Sequence, residues 1–297
     1  MTTIQPANRN QRPSPRPTAA ATAPAARPAA VTPATPAPAA KPGIARAWAS
    51  LFGGLFSGRT VLLPGVVRPY PAPTAQERQA AEARGQGRSL PQGFLAGDPA
   101  GLHKEEPVNL VVTGSLADLT RALQSTGWVA ADARTPWHFI KAAASALFRL
   151  GHYPEAPVSA QLLDGQAEVV AFNKQSDHNL SRDHMRVYRQ GTDPVSGQPI
   201  WAIAATRDTA LSVAFPRTGP WPWQWQLPAV GHAVDKAIDR ERDLIMRDLL
   251  TSGLVRDWAS VKGQRPAGLE GTPLPSGDLS VHKYRTDGQV YAVRLGG

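Results

Sequence analysis

The chain has 297 residues, 42% of them hydrophobic, with 29 Pro, 26 Gly and no Cys. That leaves room for one ordinary domain plus a tail, or for two small domains, and the lack of cysteine excludes disulfide bracing, Cys-ligated zinc, iron–sulfur ligation and thiol catalysis. The formal net charge is +9, but residues 1–76 hold eight basic residues and no Asp or Glu, leaving 24 of the 32 basic residues against all 23 acidic ones in the remainder. A dedicated nucleic-acid-binding domain needs a clustered basic footprint. A nearly neutral body argues against nucleic acid as a partner and leaves an anionic membrane surface as a match for the tail.

Residues 1–43 are a basic tail of Ala, Pro, Thr and Arg with ten prolines, a composition expected to be disordered with polyproline II character. No apolar central region lies within the first thirty residues, so no secretory signal is recognised and the expected location is cytoplasmic or peripheral to the inner membrane. Residues 44–106 read as a short apolar helix followed by a Pro/Gly-rich linker. Trp48, Leu51, Phe52, Leu55 and Phe56 share one side of a helix over 44–56, which is shorter than the ~20 apolar residues a span requires. It either packs on the main domain or lies in a membrane interface. The linker, from 63 to 107, contains one short helix over 76–84. No transmembrane segment is expected anywhere in the chain.

Regular structure becomes legible over 107–297. Val108-Asn109-Leu110-Val111-Val112-Thr113-Gly114 is a compact run of strand type, and Ser115 is placed to cap a helix carrying Leu116, Leu119 and Leu123 that stops near Gly127. Phe139, Ile140, Ala143, Leu147 and Phe148 share a face of a second helix over 137–150. Short strands are expected over 168–172, 184–188, 199–206 and 211–215. A long helix over 231–252 ends at Gly253, and strands over 280–284 and 290–295 flank a hairpin turn at Arg285-Thr286-Asp287-Gly288. Helices and antiparallel strands in blocks make the fold class α+β: a single domain with a mostly antiparallel or mixed sheet packed by about three helices, after a disordered N-terminal tail.

Seven short pieces, in this order, resemble the LssY C-terminal domain family. They are residues 109–115 (NLVVTGS) with Gly127-Trp128 after them, 153–159 (YPEAPVS), 172–174 (FNK), 184–188 (HMRVY), 201–208 (WAIAATRD), 232–243 (HAVDKAIDRERD) and 284–288 (YRTDG). The resemblance covers about residues 105–296. It implies a bacterial domain of the kind found as the tail of PAP2-type membrane phosphatases and as free-standing proteins, and so an association with the cell envelope. The chain has neither the membrane spans nor the paired Arg and His motifs of the phosphatase part, and phosphatase activity is not implied.

Projected at 100° per residue, the helix over 231–252 gathers Val234, Ala237, Ile238, Leu244, Ile245 and Leu249 into an apolar arc. On the polar side His232, Asp235 and Asp239 stand at i, i+3 and i+7. An imidazole beside two carboxylates can hold a divalent metal, the cofactor this set would take, or orient a general base; the bland alternative is a solvated helix face. Glu241 falls inside the apolar arc, where an ionised carboxylate is costly unless paired. Its expected partners come from the 184–188 strand, which turns His184, Arg186 and Tyr188 to one face. Glu241, His184, Arg186 and Asp208 are therefore the candidate catalytic acid–base group, against a Glu241–Arg186 ion pair and a turn-capping Asp208. His178 and His184, six apart, suit no common zinc spacing, and the Trp221-Pro222-Trp223-Gln224-Trp225 cluster is either a packed loop or a docking surface.

The chain has no G-x-S-x-G elbow, no phosphate-binding G-x-x-x-x-G-K-[ST] loop and no H-E-x-x-H helix. The leading expectation is an accessory or binding module at the bacterial envelope, contacting a protein partner or an anionic membrane surface. The competing expectation is a metal-assisted or acid–base hydrolase built on His184, Asp208, His232 and Glu241.

Overall fold

A computed structural model of the chain describes residues 60–66, 69, 71–88, 90, 108–148, 153–163, 165–177, 180–214, 229–263, 268–270 and 284–296. In chain order the elements are β1 (Thr60–Pro64), α1 (Ala75–Gly85), β2 (Val108–Thr113), α2 (Leu116–Gln124), β3 (Val129–Ala130), α3 (Pro136–Phe148), β4 (Leu162–Leu163), β5 (Gln166–Ala167), β6 (Val170–Asp177), β7 (Ser181–Thr192), β8 (Pro199–Ala214), β9 (Ala229–Val234), α4 (Asp239–Thr251), β10 (Val255–Lys262), β11 (Gly268–Glu270), β12 (Tyr284–Thr286) and β13 (Gln289–Leu295). The main sheet runs β10-β13-β2-β8-β7-β6-β3, antiparallel apart from the β13–β2 pair. The first half of β8 lies between β2 and β7, and its second half outruns them to pair with β1 and β9. This is an α+β fold with a mixed sheet and four helices among the described residues.

One face of the sheet carries the main core. α2 and α4 lay Leu119, Leu123, Leu244, Ile245 and Leu249 against Leu110, Val112, Met185, Val187 and Ile203, each buried aliphatic contributing about 1.5–3 kcal/mol. Local signals start the helices: Ser115 Oγ accepts from the Asp118 N–H, and Thr74 with Glu77 closes a capping box on α1. α1 carries no large apolar side chain and buries only Ala81 and Gly85. It is held against α4 by the Arg78–Asp243 and Arg247–Glu77 pairs, each 3.1 Å, and against β10 by close backbone approach at Gly85. α3 buries Ala146 with Leu63, Leu180, Leu211 and Val213, and leaves Trp137, Phe139 and Ile140 exposed.

Several expectations are corrected. Residues 231–252 do not form one helix, since α4 starts at Asp239 and β9 precedes it. Gly231 costs a helix about 1 kcal/mol, whereas 229–234 satisfies its backbone on β8. The strands expected over 199–206 and 211–215 are one strand, because Arg207 and Asp208 are buried and paired instead of turning the chain. The start of the linker is β1, paired to β8. The 255–262 stretch, given no element by pattern, is β10 on β13. Asp287-Gly288 does not close a hairpin: β12 pairs with β11, while β13 pairs with β10 and β2. The tail of 1–43, the helix over 44–56, His178 and the Trp221–Trp225 cluster lie outside the described residues. Among the described residues no helix is long and apolar enough to cross a membrane.

A Cβ added at Gly85 would sit 1.7 Å from the Ser260 carbonyl oxygen, so Gly85→Ala must push α1 off β10. The expected loss is about 1–3 kcal/mol, read as a lower urea-unfolding midpoint; an unchanged midpoint would contradict this docking of α1.

Candidate functional site

β7 and β8 pair Arg182 with Asp208, Asp183 with Arg207, His184 with Thr206 and Arg186 with Ala204. Side chains alternate along a strand, so this register sorts the charges into two groups on opposite faces. Asp183 and Arg207 turn toward the helices with Met185 and Val187. Arg182, His184, Arg186, Thr206 and Asp208 turn the other way.

On the helix face, Arg207 Nε donates to Asp183 Oδ1 at 2.6 Å and lies 3.4 Å from Glu241 Oε2. The pitch of α4 puts Glu241 in line with Leu244, Ile245 and Asp248, all buried. Asp248 accepts from Trp128 Nε1 at 2.7 Å and from Lys174 Nζ at 2.8 Å. Burial, with the Asp183 carboxylate beside it, pushes the Glu241 carboxyl well above its usual range, and the Arg207 cation pulls it back only in part.

On the other face, Arg182 Nε donates to Asp208 Oδ2 at 2.9 Å and its Nη1 to the Pro157 carbonyl at 3.1 Å. His184 Nε2 lies 3.1 Å from Thr206 Oγ1, and its Nδ1 lies 3.5 Å from Asp208 Oδ2, an ionic contact longer than a good hydrogen bond. His232, from β9, brings its Nδ1 within 3.9 Å of the same oxygen. Burial pushes the Asp208 carboxyl up, but the charges of His232, His184 and Arg182 outweigh it and hold the group below the usual carboxylate range. The segment 153–163 covers this face. Asn173 Nδ2 donates to its Ala156 carbonyl at 2.6 Å, and Arg186 grips Ser159 through Nε to the carbonyl, 3.1 Å, and Nη2 to Oγ, 2.9 Å. An imidazole between a hydroxyl and a carboxylate can act as a general base; here His184 is 3% exposed and Thr206 1%.

The structure thus divides the four expected acid–base residues. His184 and Asp208 meet; Arg186 shares their face but is engaged with Ser159; Glu241 stands behind the sheet. Glu241 is buried, as its helix pitch requires, but its cation is Arg207, because Arg186 and Asp183 alternate to opposite faces. Asp208 is a mid-strand ion-pair member and not a turn cap. The metal set is dispersed: His232 lies in β9, Asp235 Oδ1 caps the Ala237 N–H at 3.0 Å, and Asp239 accepts from Thr286 Oγ1 and the Asp287 N–H at 3.0 and 2.7 Å. These residues do not fit a shared metal, and among the described residues no group of three His, Asp or Glu could hold one. Arg242, two residues beyond Arg240 on α4, is buried, paired twice with Asp287 at 2.7 and 2.8 Å and stacked 4.3 Å from the Tyr291 ring centre.

Arg182, Asp183 and Arg207 escaped notice in the sequence, although a signal exists. Arg182-Asp183 and Arg207-Asp208 are the same dipeptide on antiparallel neighbours, so each Arg falls opposite the other's Asp.

A family model described as the LssY C-terminus matches residues 97–290. The chain belongs to the LssY C-terminal family. No curated protein and no solved structure matches it significantly. The span matched to the LssY C-terminus contains every member of both polar groups, while β1 and α1 precede it and the last residues of β13 follow it.

In this LssY C-terminal domain, Asp208→Asn leaves Arg182 buried beside a neutral group. Removing one partner of a buried pair costs about 3–5 kcal/mol. The folded carboxyl is depressed, so the wild-type stabilisation is complete above the unfolded value of about 3.9 and is lost as pH falls below it. Urea unfolding from pH 3 to 7 is expected to show the stability gap between wild type and variant at its widest near pH 7 and shrinking below pH 4. A constant gap would contradict an ionised Asp208.

Proposed function

We propose that this LssY C-terminal domain is an accessory module of the bacterial cell envelope that docks peripherally on an anionic membrane surface. The observation that carries the reading is the first half of α3, where Trp137, Phe139 and Ile140 are 67%, 47% and 61% exposed. A Trp and two large apolar side chains held in water on one short helix are costly for a free surface and suit a headgroup boundary. Charge points the same way. Residues 133–154 contain Lys141 and Arg149, besides Arg134 paired with Glu168, but no Asp or Glu, and residues 1–76 contain eight basic residues and no acid. Each cation near an anionic leaflet contributes about 1 kcal/mol.

The full chain is expected to co-sediment with vesicles containing anionic phospholipid, more weakly at high salt and only marginally with zwitterionic vesicles. A Trp137→Ser, Phe139→Ser, Ile140→Ser triple variant should lose at least tenfold in apparent affinity. Negligible binding of the wild-type chain to anionic vesicles, or equal binding of wild type and variant, would remove the reading.

A second reading, an acid–base hydrolase, is favoured by the Thr206–His184–Asp208 alignment alone. It expects turnover in a screen of esters and phosphoesters that His184→Gln abolishes while the protein stays folded. It assigns Glu241 no contact with substrate, since that side chain lies on the far face of the sheet.

A further inference from the structure

Beneath the first turn of α4, two carboxyls meet one guanidinium. Asp183 comes from β7, Glu241 from α4 and Arg207 from β8. Arg207 Nε is 2.6 Å from Asp183 Oδ1 and 3.4 Å from Glu241 Oε2, and the two acidic side chains are each 1% exposed. Asp183 Oδ2 and both Glu241 oxygens receive no hydrogen bond. The other charges around Glu241 offer no relief. Asp248, two turns along α4, adds repulsion, and its own cation, Lys174 from β6, is committed to it at 2.8 Å.

Two ionised carboxylates at one cation would leave a net negative charge sealed under a helix, and three acceptor oxygens with nothing to accept. One added proton removes the excess charge and satisfies two of the three oxygens, leaving Glu241 Oε2 to the Arg207 contact at 3.4 Å. It neutralises one carboxyl, and it supplies the donor that two acceptor-only groups lack, so that an O–H on one acid can point at the free oxygen of the other. Burial and the neighbouring negative charge both favour the protonated form on Glu241.

We propose that Asp183 and Glu241 hold a single shared proton at neutral pH, with Arg207 balancing the remaining charge, and that this proton is a pH-sensitive latch seating the start of α4 on the sheet. Glu241 accounts for the direction. A group whose folded value is raised gives stability that is complete below its unfolded value of about 4.3 and declines as pH rises toward the folded value. The latch is therefore tightest in mild acid and loosens with alkalinity. It is independent of the membrane reading, because it concerns the seat of α4 and not α3, and its test requires no lipid.

The test is urea unfolding of the full chain at a series of pH values from 5 to 9. In the wild type the unfolding equilibrium constant should rise with pH by up to tenfold per unit, the slope of one proton bound only in the folded state. Glu241→Gln keeps the shape and a donor while removing the titration, so it should flatten that slope and be more stable than wild type at pH 8. Asp183→Asn should also remove the slope, because Arg207 can then pair fully with an ionised Glu241. A variant with the wild-type slope would overturn the proposal. Should either variant fail to fold, infrared spectra of the wild type decide: the carbonyl stretch of a protonated, water-shielded carboxylic acid must persist at pH 7 and disappear on unfolding, and its absence from the folded protein overturns the shared proton.

Discussion

The register of β7 on β8 is the constraint on which the rest depends. Pairing Arg182 with Asp208 and Asp183 with Arg207 puts two opposite-charge pairs directly across the ladder, where facing side chains are closest. The pleat then sends one pair to each face. A slip of one residue would set Arg182 against Arg207 or Asp183 against Asp208, like charge facing like, and turn the apolar Met185 and Val187 away from α2 and α4. Charge and hydrophobicity therefore specify the same register.

That arrangement explains how one sheet tolerates so many buried ionisable groups. Desolvating a charge is expensive and pairing recovers only part of the cost, so buried pairs are poor evidence of stability as such. Their contribution here is to specify the pairing. Arg182 holds Asp208 and also anchors the carbonyls of the covering segment, and Arg186 does the same through Ser159. On the helix side Arg207 ties β8 to both β7 and α4, and Asp248 ties α4 to Trp128 and Lys174. The apolar layer between α4 and the sheet provides most of the adhesion, and the ionic contacts decide how α4 is seated.

Legibility in the sequence followed the range of the forces involved. The strand at 108–113, the Ser115 cap, the helices at 116–124 and 136–148, and the inward Glu241 all rest on contacts within a few residues, and pattern reading reaches those. The stretch 231–238 reads as helix in the sequence because its apolar spacing fits either period, and only the vacant length of β8 makes a strand the better choice for 229–234. β10 and the partition of 285–288 between two sheets likewise depend on partners far away in the chain. The candidate site is divided for the same reason. His184 and Asp208 stand 3.5 Å apart, whereas Glu241 was joined to Arg186 by a parity argument on one strand, without the neighbouring strand that supplies Arg207.

By itself the sequence determined the composition of the tail, the α+β class, the family and the burial of a carboxylate on α4, because each follows from local spacing or from short words in a fixed order along the chain. The tertiary structure alone decided which cation meets that carboxylate, on which face each histidine lies and which apolar side chains stay in water. Those outcomes are set by strand register and by the parity of side chains across a ladder, quantities that relate residues twenty to sixty positions apart and leave no periodic trace in either segment taken alone.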